Sequence, residues 1–173
     1  MNNQSARTDQ YTILILNGPN LGVLGQRQPE IYGTSGLDAL PALVEQVLGL
    51  ESAEIELLLY QSNSEGRLID RLEQARQEEA VHGLVFNAGA LSHTSLAIAD
   101  CLAWIDIPCV EVHLSNVWAR QQVLRHQSLM AAHCIGVVAG FGLLSYALAV
   151  QALVHHLRSI RYGRDHRTEK TFE

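Results

Sequence analysis

The sequence predicts a single doubly wound α/β domain built on a parallel sheet. Apolar segments of strand length recur five times along the chain, and amphipathic helical segments separate them. The five segments are residues 11–16, 55–60, 84–86, 109–112 and 135–139. None alternates strictly between apolar and polar residues, which is typical of strands buried on both faces of a parallel sheet. We therefore expect a five-stranded sheet between two layers of helices, with right-handed crossovers.

Helical periodicity predicts the elements between these strands. Leu68, Leu72 and Ala75 fall on one helix face, and residues 98, 101, 102 and 105 repeat at i, i+3, i+4 and i+7. An earlier helix presents residues 37, 40, 44 and 47, where Pro41 should distort the first turn or delay the start. The last helix covers residues 144–157. We expect one α/β domain over 11–162, a polar extension at 1–10 and a polar tail at 163–173.

Composition excludes several functional classes. The chain has 12 basic and 18 acidic residues, a formal net charge of −6, which argues against a general nucleic-acid binder. Lys170 is the only lysine, so a buried Schiff-base lysine has almost no candidate. Cys101, Cys109 and Cys134 form no Cys-x-x-Cys pair. Their apolar neighbours favour free thiols in a reducing compartment, and therefore a cytoplasmic location.

One uncharged segment, residues 134–154, is long enough to cross a membrane, since about 20 apolar residues suffice. Gly136, Gly140, Gly142 and Gln151 interrupt it, which favours a buried strand followed by a helix over the alternative of a membrane span. Gly140 and Gly142 match only part of a dinucleotide-binding fingerprint, so we interpret them as packing glycines. The first ten residues lack the apolar stretch of a signal peptide.

Polar residues follow four of the predicted strands, in residues 17–20, 61–64, 87–89 and 111–116. Asn, Gly and Ser are also ordinary turn formers, so a single such segment is weak evidence. Ligands of open parallel sheets bind beyond the carboxyl ends of the strands, at the topological switch point. Because four ends carry amides, hydroxyls, a carboxylate and an imidazole, we expect a ligand site at this edge.

Glu111 and His113 are two residues apart on a predicted strand and therefore face the same side. A carboxylate in that position can fix the imidazole tautomer, as a general acid or base requires. The alternative is a hydrogen-bonded pair that only closes the strand end. A metal site with His93, His113 and a carboxylate has less support, because no helical His-x-x-x-His or cysteine cluster accompanies it.

Arg27 and Tyr32 lie in a glycine-bounded loop, residues 25–33. Tyrosine acts as a base only if its pKa falls from about 10 to about 7, which costs about 4 kcal/mol. One arginine about 4 Å away supplies a similar amount at an effective dielectric near 20. The alternative is a surface clamp or lid. Arg120 and Arg125 suit an anionic or hydroxylated small ligand, or else belong to a solvated helix face.

Four ordered motifs together resemble type II 3-dehydroquinate dehydratases. The motifs are residues 17–21 with 24–25, 27, 29 and 32–33; 61–63 with 65–66; 87–89 with 92–95; and 111–116 with 119–120. The resemblance covers about residues 13–157. It implies a flavodoxin-like, three-layer α/β/α fold. It also implies the removal of water from 3-dehydroquinate, a small anion, to give 3-dehydroshikimate without metal or cofactor.

The resemblance also implies a role for each matching residue. Tyr32 is the base that takes the C2 proton, and Arg27 lowers its pKa. Asn20 holds a water against the enolate oxygen. His113 protonates the departing hydroxyl, and Glu111 orients it. The implied substrate ligands are Asn87 and the backbone of Leu114 and Ser115 for the carboxylate, His93 and Arg125 for ring hydroxyls, and Asp100 from a neighbouring subunit.

Some positions depart from the family pattern. Gln28 replaces a usual glutamate, Trp118 stands where histidine is common, and one extra residue separates Arg120 from Arg125, which affects the role given to Arg125. An alternative is therefore a non-catalytic or catalytically weakened flavodoxin-like paralogue that binds a ligand. The resemblance further implies a homo-oligomer, a dodecamer built from trimers. We expect neither a nucleic-acid nor a membrane partner.

Overall fold

The computed structural model describes residues 10–24, 36–78 and 80–169. Strands and helices alternate through most of these residues, but the last two strands follow one another, joined only by loops and short 3₁₀ turns. In chain order the elements are β1 (Tyr11–Asn17), α1 (Leu40–Leu48), β2 (Ile55–Gln61), α2 (Glu65–Gln77), β3 (Val81–Asn87), α3 (Leu96–Ile105), β4 (Cys109–His113), β5 (Gly136–Ala139) and α4 (Leu144–Glu169).

The strands of the described residues form one parallel sheet in the order β2-β1-β3-β4-β5. This is the strand order of flavodoxin-like folds, with its switch point between β1 and β3. The predicted five-stranded, doubly wound fold is confirmed. The register sets Asn17, the last residue of β1, beside Gln61 on one side and Asn87 on the other. Three polar strand ends therefore lie side by side at the switch point.

Helices cover both faces of the sheet. On one face α1 packs with α4, and on the other α2 packs with α3. All seven residues of β1 are buried, as expected for a central strand covered on both faces. Burial on both faces is wrong for the outer strands, since Leu59 of β2 is 42% exposed and Val137 of β5 is 39% exposed. Each of these strands has a neighbour on one side only, and the helices cover mainly the centre of the sheet.

The predicted helix faces match the buried ones closely. Leu68, Leu72 and Ala75 are buried on α2, and the four predicted positions of α3 are buried as well. On α1 the buried residues are 40, 44 and 48, with residues 37 and 47 at the margin of the core. This helix starts at Leu40 after a 3₁₀ turn and carries Pro41 in its first turn, where the missing N–H costs no helical hydrogen bond.

The last helix is longer than predicted. It continues past residue 157 to Glu169, into the segment expected to be a polar tail. Arginine and histidine tolerate a helix, and no proline follows Pro108 in the sequence. The uncharged segment 134–154 divides into a strand, β5, and the start of α4, as predicted, but the strand is exposed at Gly136 and Val137 and not buried. Among the described residues, no helix has both the length and the apolar character needed to span a bilayer.

Candidate active site

A cavity of about 170 Å³ lies where β1, β3 and β4 end. Pro19, Leu21, Leu24 and Ala90 give it an apolar side. The structure brings seven of the sequence-predicted site residues to its wall: Asn20, Asn87, His93, His113, Leu114, Ser115 and Arg125. The cavity is therefore at the carboxyl edge of the sheet, beside the switch point, where a ligand of such a fold is expected.

Two glycines let the loops after β1 and β3 touch. The N–H of Gly18 donates to the carbonyl of Asn87 at 2.8 Å, and a Cβ on Gly18 would lie only 2.4 Å from the carbonyl oxygen of Ala88. Gly89 has a φ of +61°, a conformation that glycine adopts without strain. This close approach places the amide side chains of Asn20 and Asn87 on the same wall of the cavity.

The loop after β2 fixes the backbone of Asn20. Asn20 has a left-handed φ of 67°, which asparagine tolerates better than most residues. Its N–H donates to Oδ1 of Asn63 at 2.9 Å. Nε2 of Gln61 donates to the same Asn63 oxygen at 3.1 Å and to the Gly18 carbonyl at 3.2 Å. The position of Asn20 therefore depends on the end of β2 as well as that of β1.

A buried tyrosine from α4 connects β1 to β3. The hydroxyl of Tyr146 accepts a hydrogen bond from Nδ2 of Asn87 at 2.8 Å and donates one to Oδ1 of Asn17. The N–H of Gly89 donates to Oδ1 of Asn87 at 3.2 Å, so both ends of the Asn87 amide are held. Burial raises the pKa of the Tyr146 phenol well above its ordinary value. The hydroxyl therefore stays protonated and can donate to Asn17.

The end of β4 carries a buried carboxylate–imidazole pair. Nε2 of His113 lies 2.6 Å from Oε1 of Glu111, and the Glu111 side chain has no exposed surface. Since the carboxylate accepts, Nε2 carries the proton, and Nδ1 is the ring nitrogen left for a ligand in the cavity. The second carboxylate oxygen of Glu111 accepts from the Ser128 hydroxyl at 2.8 Å. With Nδ1 protonated as well, the ring can deliver that proton to a bound molecule, and the Glu111 carboxylate stabilises the resulting imidazolium charge.

A second histidine lies parallel to the first. The rings of His93 and His113 stack with centroids 6.0 Å apart and an interplanar angle of 9°. Nδ1 of His93 donates to the carbonyl of Gln127 at 2.6 Å. Burial lowers the pKa of His93, and the nearby charges of His113 and Arg125 lower it further, against the opposing effect of the Gln127 carbonyl. In the neutral ring, Nε2 of His93 accepts hydrogen bonds and suits a ligand hydroxyl.

Two arginines give the cavity a cationic side. Arg120 and Arg125 both line it. Nη2 of Arg120 donates to the Ser115 hydroxyl at 2.6 Å, and Nε of Arg125 donates to Oε1 of Gln122 at 2.7 Å. Guanidinium groups bind carboxylates and hydroxyls through several N–H donors. The cavity is therefore suited to a small polyhydroxylated anion.

The two glycines after β5 support the end of β4. The N–H of Gly140 donates to the His113 carbonyl at 3.2 Å, and the N–H of Gly142 donates to the Leu114 carbonyl at 2.8 Å. Gly140 has a φ of +103° and Gly142 a φ of +58°. Their interpretation as packing glycines agrees with these contacts, because they hold the backbone that carries His113 and Ser115.

Comparison with known proteins identifies the family. The model of the family described as "Dehydroquinase class II" matches residues 11–154. The chain belongs to the class II dehydroquinase family. The resemblance found in its sequence motifs is confirmed, and with it the flavodoxin-like fold.

Curated relatives and solved structures agree with this membership. A 3-dehydroquinate dehydratase of Synechococcus sp. (strain CC9902) is 51% identical over 148 residues, which cover 84% of this chain and 97% of that protein. One of Exiguobacterium sp. is 50% identical over 147 residues, covering 85% and 97%. The crystal structure of type II dehydroquinase from Butyrivibrio crossotus matches with a TM-score of 0.75 and 39% identity, covering 83% of this chain and 97% of that one.

The remaining predicted site residues of this class II dehydroquinase lie elsewhere. Arg27 and Tyr32 fall outside the described residues. Glu111 lies behind His113, where it is fully buried. Asp100 is exposed on α3 and is not among the residues that line the cavity. Within the described parts of the chain, no cluster of three or more His, Cys, Asp or Glu side chains could hold a metal ion.

Sequence reasoning missed three residues of this dehydroquinase site: Tyr146, Gln127 and Ser128. A tyrosine inside an apolar helix is a usable signal, because a buried hydroxyl needs a partner. Gln127 acts through its backbone carbonyl, which no side chain reveals. Ser128 follows the motif of Arg120 and lies outside every predicted element, so nothing in the local pattern indicated its contact with Glu111.

Proposed function

We propose that this protein is a 3-dehydroquinate dehydratase that eliminates water from 3-dehydroquinate to give 3-dehydroshikimate through an enolate. The observation that carries the proposal is the buried Glu111–His113 pair at the cavity of a class II dehydroquinase family member. A hydro-lyase needs an acid for the departing hydroxyl, and this pair can supply one.

The reaction begins at the carbon next to the substrate carbonyl. Tyr32, as the phenolate, takes the C2 proton, and the C–H electron pair becomes the enolate. Arg27 lowers the pKa of Tyr32 so that the phenolate is present. Asn20 holds a water that donates to the enolate oxygen. Such a C2 proton is weakly acidic, so the base and the oxyanion partner are both required.

His113 completes the elimination. As the enolate collapses, the bond between the ring carbon and its hydroxyl breaks, and His113 in its imidazolium form gives its Nδ1 proton to the departing oxygen, which leaves as water. Hydroxide is a poor leaving group, so protonation in the transition state is essential. The hydrogen bond from Nε2 of His113 to Glu111 keeps the ring in the tautomer that turns Nδ1 to the substrate. That orientation supports the role of proton donor.

The substrate is an anion, and the chain has a net charge of −6. Local donors must therefore hold the carboxylate, and the proposed ones are Asn87 and the backbone of Leu114 and Ser115. His93 and Arg125 bind ring hydroxyls. In support, the cavity wall carries all five, and the neutral form of His93 presents an acceptor to a hydroxyl. Removing any of them should weaken substrate binding.

The proposed assembly is a homododecamer built from trimers, in which Asp100 reaches the cavity of a neighbouring subunit. In support, Asp100 is exposed on α3 on the same stripe as Leu96 and Trp104, which are 68% and 62% exposed. An exposed leucine and tryptophan one helical turn on either side of an acid fit a contact between copies. Light scattering tests the assembly, and a monomeric mass would contradict it. The cytoplasmic location stays a prediction.

The direct test is turnover of 3-dehydroquinate by the purified protein, followed by the ultraviolet absorbance of the enone product in the presence of a chelator. We expect His113→Ala to lower kcat about 10²- to 10⁴-fold, with an unchanged melting temperature. The matched control is His155→Ala, because His155 is exposed on α4. Wild-type protein without turnover would refute the proposal. A near-normal rate for His113→Ala would refute only the role of that residue.

A weakened or non-catalytic paralogue is the alternative, and the longer segment between Arg120 and Arg125 is the observation that favours it. The same assay separates the cases. A low kcat with a native fold indicates a weakened enzyme. A flavin or nucleotide bound in stoichiometric amount, with no turnover, indicates a binding module.

A further inference from the structure

Among the residues that the structure describes, each oxygen of the Glu111 carboxylate has one hydrogen-bond partner. Oε1 accepts from His113 at 2.6 Å, and Oε2 accepts from the hydroxyl of Ser128 at 2.8 Å. Glu111 is completely buried, so bulk water does not reach either oxygen. Two partners on opposite oxygens determine the plane of the carboxylate, and the plane determines where His113 is held.

The Ser128 hydroxyl can point in only one direction. Its oxygen accepts from the backbone N–H of Met130 and of Ala131, both at 3.2 Å. A hydroxyl has two lone pairs and one proton. With both lone pairs engaged by amides, the remaining O–H points at Glu111. The serine therefore acts as a fixed donor aimed at one carboxylate oxygen.

The segment that carries Ser128 is anchored on both sides. We call residues 120–130 the strap. On one side of Ser128, the carbonyl of Gln127 accepts from Nδ1 of His93. On the other side, the N–H of Leu129 donates to the Ser92 carbonyl at 2.8 Å. Met130, at the end of the strap, is 1% exposed in the core. Ser128 is thus held in place independently of Glu111, as a residue that positions another must be.

We propose that Ser128 is a positioning residue for the acid step. It holds the Glu111 carboxylate so that the other oxygen accepts the Nε2–H of His113 and Nδ1 faces the substrate. This inference rests on the proposed dehydratase function. Without the hydroxyl, one oxygen of a buried carboxylate loses its donor, and the carboxylate is free to rotate away from the imidazole. Proton delivery to the leaving hydroxyl then slows, while the groups that bind the substrate stay in place.

The test compares Ser128→Ala with Ser128→Thr, which keeps a hydroxyl. A hydrogen bond to a charged group corresponds to about a tenfold to a hundredfold effect. We expect Ser128→Ala to lower kcat by that factor with KM within about twofold, and Ser128→Thr to recover most of kcat. The solvent deuterium isotope effect on kcat should rise in Ser128→Ala, because proton delivery becomes more rate-limiting. A merely structural role would not change that isotope effect.

The control is Ser95→Ala. Ser95 is a buried serine that caps α3 by accepting from the N–H of Ile98 at 2.9 Å, so its loss should lower stability without changing the isotope effect. A double variant tests whether Ser128 affects kcat through Glu111. Because Ser128 acts through Glu111, Ser128→Ala should cost little further kcat when added to Glu111→Gln.

Several outcomes would overturn the inference. Ser128→Ala could keep the wild-type kcat, or raise KM while kcat stays unchanged. Ser128→Thr could fold natively and still be as slow as Ser128→Ala. Adding Ser128→Ala to Glu111→Gln could lower kcat by the full factor seen for Ser128→Ala alone. If Ser128→Ala does not fold, Ser128→Cys replaces it with the same expectations, since a thiol fills similar space but donates weakly. A wild-type enzyme without turnover refutes the proposed function itself, whereas an active wild type matched by Ser128→Ala refutes only this inference.

Discussion

Removing the Tyr146 hydroxyl tests whether the site depends on the buried hydrogen bonds that join Tyr146 to Asn17 and Asn87. Asn17 lies 129 positions before Tyr146 in the sequence. Tyr146 and Asn17 have no exposed surface, and Asn87 is 2% exposed. In Tyr146→Phe, Oδ1 of Asn17 loses its donor and Nδ2 of Asn87 loses its acceptor. An unsatisfied buried polar group costs about 1–3 kcal/mol, so the two groups together give about 2–6 kcal/mol.

We expect Tyr146→Phe to lower the unfolding free energy by an amount in the lower half of this range. Phenylalanine no longer buries a hydroxyl, and the two amides can close part of the gap between them. Urea denaturation of the wild type and of Tyr146→Phe measures the loss. Equal m-values would show that the two proteins expose similar surface areas on unfolding. KM should rise as well, because Asn87 lines the cavity. His155→Ala is the control on the same helix: the His155 side chain is exposed, and we expect a change below about 0.5 kcal/mol.

The pH dependence of this loss follows from the raised pKa of Tyr146. The folded state favours the neutral phenol, so its contribution to stability is complete below the unfolded pKa of about 10 and is lost as pH rises above it. The difference between wild type and Tyr146→Phe should therefore be constant from about pH 6 to pH 9 and shrink in stronger alkali. A loss below about 1 kcal/mol with an unchanged KM would refute the network as a support of the site.

Two further predictions concern residues on the cavity wall. The folded state holds the pKa of His93 below its ordinary value, so the unfolded chain binds more protons, and stability should fall as pH drops below about 6.5. His93→Gln should flatten that part of the pH dependence in urea denaturation, and an unchanged slope would contradict the assignment. Arg125→Ala should raise KM about tenfold or more, with a smaller effect on kcat. Steady-state kinetics measure this, and an unchanged KM would exclude Arg125 as a substrate ligand.

The elements of the fold were predictable because burial leaves a period in the sequence. On α2 the spacing of Leu68, Leu72 and Ala75 matches one helical face, and those residues are the buried ones. β1 is apolar at five of its seven residues because both of its faces are covered. The exposure of β2 and β5 was not predictable in the same way. A strand's place at the edge follows from the order β2-β1-β3-β4-β5, and the order is a property of the whole sheet.

Much of the candidate site was predictable because its residues end a strand. Asn20, Asn87 and His113 each follow or close an apolar run, and the carboxyl ends of parallel strands meet at one edge. Tyr146 and Ser128 have no such marker. Tyr146 contacts a residue 129 positions away, and Ser128 contacts Glu111 from a segment without regular periodicity. Contacts of this kind depend on how the last helix and the strap fold back over the sheet.

The strap also explains how two arginines of an irregular segment reach the same cavity. Its two ends are anchored: Arg120 donates to Ser115, and Ser128 donates to Glu111. Between these anchors, residues Val123–His126 form a 3₁₀ turn, and His126 donates from Nε2 to the Arg120 carbonyl at 2.6 Å. This hydrogen bond folds the middle of the strap back onto its beginning. Both guanidinium groups therefore belong to residues that line the cavity, and Ser128 stays in contact with Glu111.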